Sequence, residues 1–223
     1  MAGSGLRRNG GSFMQKIMGE MRAAMERYEM VSSGDRIAVG VSGGKDSLAL
    51  LCGMARLRDY YPQPFEVVAL TADPCFGGQE TDYSPIASLC ASLGVEYHLR
   101  RTRLGEIIFE ERKEKNPCSL CARMRRGILH NMAKEAGCNK LALGHHFDDA
   151  VQTFFMNLFY GGKLSCFSPK TYLSRKDLWM IRPLIFTEEA SIRAAARRNA
   201  FPVVKSACPA DGATSRQDTA ELL

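Results

Sequence analysis

Val39-Gly-Val-Ser-Gly-Gly-Lys-Asp-Ser47 stands where a short buried strand hands over to a helix, and the reading of the whole chain turns on it. Upstream, Arg36-Ile-Ala-Val-Gly-Val-Ser42 has the apolar run of a buried strand. Downstream, Asp46-Ser-Leu-Ala-Leu-Leu-Cys-Gly-Met-Ala-Arg56 reads as a helix, so the two make half of a βαβ unit. Between them, small residues let backbone N–H groups approach an anion, and the helix N-terminus adds favourable partial charge. Lys45 and the hydroxyls of Ser42 and Ser47 can touch phosphate oxygens directly. The competing reading is a Gly-Gly turn that merely joins two elements. The common nucleoside-triphosphatase loop needs glycine at position 39 and Ser or Thr after the lysine. Here Val39 and Asp46 stand in those places.

Working outward, the same alternation recurs. Phe65 to Thr71 reads as a strand, Thr81 to Leu93 as a helix and Val95 to Leu99 as a strand. Cys121 to Ala136 has helical spacing, Lys140 to Leu143 is a short strand, and Asp148 to Tyr160 is a strongly apolar helix ending at Gly161-Gly162. Leu178 to Ile181 reads as one more strand and Glu188 to Asn199 as a polar helix. Strands alternating with helices predict an α/β fold, a doubly wound and mostly parallel sheet with helices on both faces and ligands beyond the carboxyl ends of the strands. Before it, Met14, Ile17, Met18, Met21, Met25 and Tyr28 recur at three- and four-residue steps, the period of an amphipathic helix packed on the main domain. The expected organisation is therefore residues 1–30 as a flexible start plus that helix, and residues 31–223 as the nucleotide-binding domain.

Composition narrows the class. At 223 residues, 45% hydrophobic and 24% charged, the chain matches an ordinary globular protein. No apolar stretch approaches the ~20 residues that span a bilayer, and no apolar run follows Arg7-Arg8 as in a secretory signal. A cytoplasmic protein without a membrane partner is expected. The formal charge of +6 permits a polyanionic partner without requiring one. Eight cysteines without a signal peptide read as thiols.

SGGKDS resembles the fingerprint of the PP-loop ATP pyrophosphatases, whose loop holds the departing pyrophosphate while an acceptor oxygen takes AMP. Asp73, at the end of the second strand, lies where that resemblance puts a nucleotide contact; its plainer reading is a turn carboxylate before Pro74. Ala142-Leu-Gly-His-His-Phe-Asp-Asp-Ala-Val-Gln-Thr153 again follows a strand and opens a helix, which Asp148 and Asp149 are suited to cap. It also matches the family's GHHxDD signature, which faces the first loop across the nucleotide. The resemblance thus puts Ser42, Gly43, Gly44, Lys45, Asp46, Ser47, Asp73, Gly144, His145, Asp148 and Asp149 around ATP. Lys45, Asp46 and Asp149 take the catalytic part, and Asp149 is a candidate ligand for Mg²⁺, which on phosphates usually takes one or two carboxylates.

Asn116-Pro-Cys-Ser-Leu-Cys-Ala-Arg-Met-Arg-Arg126 puts Cys118 and Cys121 three residues apart at the mouth of a helix, close enough to share a metal. CxxC alone leaves zinc, iron–sulfur and redox chemistry open. Cys208, in Ser206-Ala-Cys-Pro-Ala-Asp-Gly212, is the candidate third ligand; an ordinary buried thiol is the other reading. PCSLCARMRRGIL, LALGHHFDDAVQTFFMNLFYGGKL and IRPL together look like the tRNA 2-thiocytidine synthetase family, from about Met14 to Leu223. That resemblance implies a [4Fe-4S] cluster on Cys118, Cys121 and Cys208 with one iron open for sulfur. It also implies ATP-dependent thiolation of an anticodon-loop cytidine, tRNA and a sulfur donor such as a cysteine desulfurase as partners, and room for a homodimer.

Cys52, Cys90, Cys138 and Cys166 read as core or surface thiols, and Cys75 lies beside the nucleotide site. Basic runs at Arg7-Arg8, Arg100 to Arg103, Arg123 to Arg126 and Arg197-Arg198 are candidate RNA contacts, with Arg123, Arg125 and Arg126 favoured beside the cysteines. Two features depart from the family pattern: the CPADG surroundings of Cys208, and an end at Gln217-Asp-Thr-Ala-Glu-Leu-Leu223 that reads as mid-helix, as in a truncated chain. Two rivals remain. One keeps adenylation but uses an amine nucleophile, which the three cysteines disfavour. The other is a zinc-stabilised RNA-binding protein, which has no need of two loops converging on a triphosphate.

Overall fold

The computed structural model describes residues 11–112, 117–205 and 207–209. Its elements run α1 (Gly11–Arg27), β1 (Asp35–Gly40), α2 (Lys45–Leu57), β2 (Phe65–Asp73), α3 (Ser84–Ser92), β3 (Glu96–Arg101) and α4 (Leu104–Glu106). After α4 come a π turn at Ile107–Glu111, α5 (Pro117–Glu135), β4 (Lys140–Ala142), α6 (Phe147–Gly161), β5 (Lys170–Leu173), β6 (Leu178–Ile181) and α7 (Glu189–Arg198). The six strands form one sheet in the order β3-β2-β1-β4-β6-β5, parallel throughout except that β5 runs antiparallel to β6. The expected doubly wound fold is the one observed.

Both faces are covered because the strands are apolar on both. Ile37 and Val39 of β1 and Val67 and Ala69 of β2 enter one core; Ala38, Val68, Leu70 and Ala72 enter the other. Successive side chains on a strand point to opposite faces, so a continuous apolar run demands two helical layers. The first layer is built from α1, α2, α3 and α7, and the second from α5. Met14, Ile17, Met21 and Met25 are fully buried, so α1 is part of the main core. Lys140 Nζ lies 2.6 Å from the Asp35 carboxylate and donates to the Met30 carbonyl at 2.9 Å, pinning the segment after α1 to the sheet.

Several boundaries differ from expectation for local reasons. α3 starts at Ser84, with Pro85 in its first turn, because Thr81 is held back by Asp73. α5 begins at Pro117, four residues before the expected start at Cys121, with Cys118 and Cys121 as its second and fifth residues. β5 is an addition to the expected elements: Lys170-Thr-Tyr-Leu173 is a short, part-exposed hairpin arm with little apolar pattern. The end at Gln217 to Leu223, the Arg7-Arg8 pair and most of the CPADG run lie outside the described residues.

The order of strands fixes where a ligand goes. From β1 the chain moves outward to β2 and β3, then returns to β4 on the other side of β1. Between β1 and β4 the winding reverses, and the loops above them part to leave a crevice.

Candidate active site

The glycine loop after β1 is set by its own hydrogen bonds. Ser47 Oγ donates to the Gly44 carbonyl at 2.9 Å and accepts the Ser42 N–H at 3.2 Å, while the Ser42 hydroxyl lies 3.3 Å away. Gly43 has φ +89°, a left-handed conformation that strains any side chain, and a Cβ there would stand 2.9 Å from Val204 Cβ. Its carbonyl accepts the Val204 N–H at 3.0 Å, so residues 201–205 lie across the loop as a strap. The loop holds its shape with its N–H groups at the start of α2, as an anion cradle requires.

Lys45 Nζ sits 3.1 Å from Asp46 and 3.0 Å from Glu189. Burial works to lower its pKa, but the Glu189 hydrogen bond and the Asp46 charge together outweigh it, so the ammonium is held above its ordinary range. Burial likewise opposes ionisation of Glu189, and Lys45 and Arg193 overcome it, leaving that carboxylate below its ordinary range. Both groups are charged at neutral pH.

The second loop packs directly on the first. A Cβ on Gly144 would stand 3.2 Å from the Asp46 carbonyl and the Ser47 nitrogen, tighter than an ordinary Cβ contact, so glycine favours this close approach. The His146 N–H donates to Asp149 at 3.0 Å, and the buried imidazole lies 3.5 Å from Asp148 and Asp149 and 3.9 Å from Asp46. Asp148 accepts the Glu189 N–H at 2.7 Å, tying α6 to α7. His145 packs against Phe167 at 5.2 Å, and the buried Arg182 guanidinium covers the same ring at 4.8 Å. Arg182, whose pKa burial and nearby Arg126 bring down to about 10, thereby braces the His145 loop from β6.

Asp73 is at the end of β2, but its carboxylate is fully buried and accepts the Cys75 N–H at 3.1 Å and the Thr81 N–H at 3.0 Å. The structure gives it the work of folding the loop after β2, which is the plainer of the two sequence readings.

Two cavities meet at this junction. The smaller, about 370 Å³, lies over the ends of β1, β2 and β4 and is bounded by Gly40, Ala72, Leu129, Leu143, Gly144, His145 and Asp149. The larger, about 1010 Å³, opens beneath α7 and the strap, with Lys45, Arg193, Arg197 and Lys205 on its walls. Ser42, Asp46 and Arg125 border both. Of the arginines favoured as RNA contacts, Arg125 thus stands at the junction, Arg126 in the smaller cavity and Arg123 in solvent. The run from Arg100 to Arg103 is neutralised: Arg100 pairs with Glu135, Arg101 with Glu80, and Arg103 with Glu106.

Beside the junction the thiols converge. Burial raises the Cys121 pKa, Arg125 lowers it, and Cys208 and Cys118 raise it further. Cys208, distant in sequence, is therefore within electrostatic reach of Cys121, as is the neighbouring Cys118. Among the described residues no three His, Cys, Asp or Glu side chains close up around a single metal ion. Cys52, Cys90 and Cys138 are buried, their thiols pushed up to about 11 by burial. Cys166 is exposed and donates to the Ala150 carbonyl, and Cys75 sits in a left-handed turn beside Asp73.

A family model described as a PP-loop domain matches residues 14–217. The tRNA-cytidine(32) 2-sulfurtransferase of Geobacter sulfurreducens is 42% identical over 204 residues, 91% of this chain and 79% of the relative. That of Syntrophotalea carbinolica is 40% identical over 197 residues, covering 88% and 74%. The chain belongs to the tRNA-cytidine 2-sulfurtransferases of the PP-loop family. The U34-tRNA thiolase of Methanococcus maripaludis, solved with its [4Fe-4S] cluster, superposes with a TM-score of 0.77 at 25% identity, over 96% of this chain and 72% of that one. The NH3-dependent NAD synthetase of Campylobacter jejuni shares the fold alone, at a TM-score of 0.51 and 17% identity over 92% of this chain and 80% of that one. Family membership accounts for the PP loop. Glu189 and Arg193 of α7 belong to no motif that marks them as parts of the site, and Arg197 stands out in the sequence only as half of a basic pair. A subtler signal is present: positions 193, 196 and 197 form an i, i+3, i+4 stripe turned away from the buried Ile192 and Ala195.

Proposed function

We propose that this chain is an ATP-dependent tRNA thiolase that converts a cytidine, position 32 by likeness to its relatives, into 2-thiocytidine. What supports the reading is that Cys208 reaches the electrostatic neighbourhood of Cys121 on α5, the helix that also sends Arg125 to the cavity beside the phosphate loop.

The adenosine of ATP fits the smaller cavity at the reversal between β1 and β4, with its triphosphate on residues 42–47. Backbone N–H groups and the Ser42 and Ser47 hydroxyls hold the pyrophosphate portion, and Lys45 neutralises it. Asp46 and Asp149 both border that cavity and supply the carboxylates that Mg²⁺ on a phosphate requires. Asp73 and Asp148 shape the site through the loop after β2 and through α7. The cytosine O2 attacks the α-phosphorus, the bond to the bridging oxygen breaks, and pyrophosphate leaves. Arg125, at the junction, faces the negative charge that grows on the phosphoryl oxygens. Sulfur then bonds to C2 and AMP departs with the former O2. When bound on the three thiolates, a [4Fe-4S] cluster supplies a coordination position for the incoming sulfur, whose donor is an external protein such as a cysteine desulfurase.

The test is anaerobic purification with iron, sulfide and zinc analysis, followed by incubation with tRNA, ATP and sulfide and mass analysis of the nucleosides. Expected are about four irons and four sulfides per chain, and 2-thiocytidine that forms only with ATP. One zinc with no iron, or no thiolated nucleoside, overturns the reading.

The same protein is expected to pair with itself. α6 has an apolar sequence, yet none of its residues is fully buried, and Phe159, Tyr160 and the following Leu164 are exposed. An apolar face of this kind marks an interface. Light scattering should give a dimer for the native chain, and Phe159→Glu should shift it toward monomer by roughly tenfold or more in dissociation constant. Among the described residues no helix is long and apolar enough to cross a membrane, and with the cysteines present as thiols rather than disulfides a cytoplasmic setting suits the chemistry.

A further inference from the structure

We infer that the larger cavity, beneath α7 and the strap, receives the unstacked target nucleotide of the RNA, with Arg197 and Lys205 gripping the phosphates on either side of it. This rests on the tRNA reading above but assigns a site that the family resemblance does not.

The division of the two cavities follows from their walls. The smaller one is lined in part by glycines and leucines and, at about 370 Å³, suits a single adenosine over the winding reversal. The larger, about 1010 Å³, exceeds what one nucleotide needs and is rimmed by cations from two separate segments. On α7, Arg193, paired with Glu189 at 3.1 Å, Ala196 and Arg197 face the cavity, and Ala200 joins them just beyond the end of the helix. Two arginines one turn apart with alanines between them leave a shallow trough, the shape a sugar–phosphate chain follows. Lys205 faces the same space from the strap. The cavity reaches Ser42, Asp46 and Arg125, where it meets the smaller one, and Ala207, next to Cys208. A base drawn into it therefore lies between the α-phosphate and the thiols, as a base that must meet both in turn has to.

The neighbouring Arg198 provides the control. Its guanidinium stacks over Phe13 at 4.5 Å, on the α1 side of the helix, so the Arg197-Arg198 pair is split between cavity and core.

The experiment measures binding of an anticodon stem-loop to the full-length chain as a function of salt, together with binding of a non-hydrolysable ATP analogue. For R197A/K205A the RNA affinity should fall roughly tenfold or more, and the slope of log K against log salt should drop by roughly 1.5, about 0.7 for each single-strand phosphate that a cation no longer neutralises. ATP-analogue affinity should change by less than about twofold, and R198A should leave the RNA slope as it is. An unchanged RNA affinity and slope in R197A/K205A overturns the inference. So does an equal effect from R198A, which reduces these cations to general charge, or a loss confined to the ATP analogue, which assigns them to the triphosphate. These readouts need no turnover, so they decide the inference separately from whether the wild-type chain thiolates.

Discussion

Replacing Lys45 by alanine is expected to lower ATP-dependent thiolation by roughly 10²–10³-fold or more, while leaving the fold and the bound iron as they are. Lys45 is the cation at the start of α2 nearest the phosphate cradle, and it is held charged by Asp46 and Glu189. Removing it takes away the charge that meets the pyrophosphate and leaves two carboxylates pointing at the same space, so the loss contains both absent attraction and new repulsion. The fold does not depend on it: Lys45 and its partners are each about 29–31% exposed, a setting in which an ion pair contributes little. Adding Glu189→Gln to the alanine variant removes one of the stranded charges and should recover part of the ATP affinity. Calorimetry with the ATP analogue and a thiolation assay check both. Full activity in the alanine variant removes Lys45 from the phosphate site, and no recovery in the double variant removes Glu189 as its counter-charge.

Replacing Cys208 by alanine is expected to abolish stable iron binding, taking the chain from about four irons to near none, and with it thiolation. Two thiolates from one helical turn leave a cluster without enough protein ligands, and Cys208 is the distant third that acts on Cys121. The parallel change at Cys166, exposed on the surface, should leave iron content alone. Retention of full iron in the Cys208 variant excludes it as a ligand. The strap adds a second readout. Since Val204 holds Gly43 only four residues before Cys208, loosening that end should also weaken ATP-analogue binding by severalfold.

The sequence alone carried the parts of this protein whose physics is local. The alternation of apolar strands with amphipathic helices set the doubly wound sheet, because a strand apolar on both faces can only be buried between two layers. The run from Ser42 to Ser47 marked an anion cradle because glycine, serine and lysine at a helix start leave little else for the backbone to do. Gly144 and its histidines and aspartates were legible as a second loop, and the CxxC pair as two ligands in one turn.

Tertiary structure decided what depends on segments far apart in the chain. It turned Asp73 inward, because a fully buried carboxylate goes where backbone N–H groups can satisfy it, and those of Cys75 and Thr81 are the nearest. It neutralised the run from Arg100 to Arg103 with glutamates that the sequence places elsewhere. It laid Val204 on Gly43 and so carried Cys208 toward Cys121, a meeting that no spacing rule reports. And it sent Arg197 into the cavity and Arg198 onto Phe13, since consecutive residues on a helix lie about 100° apart and only packing decides which of them faces the site.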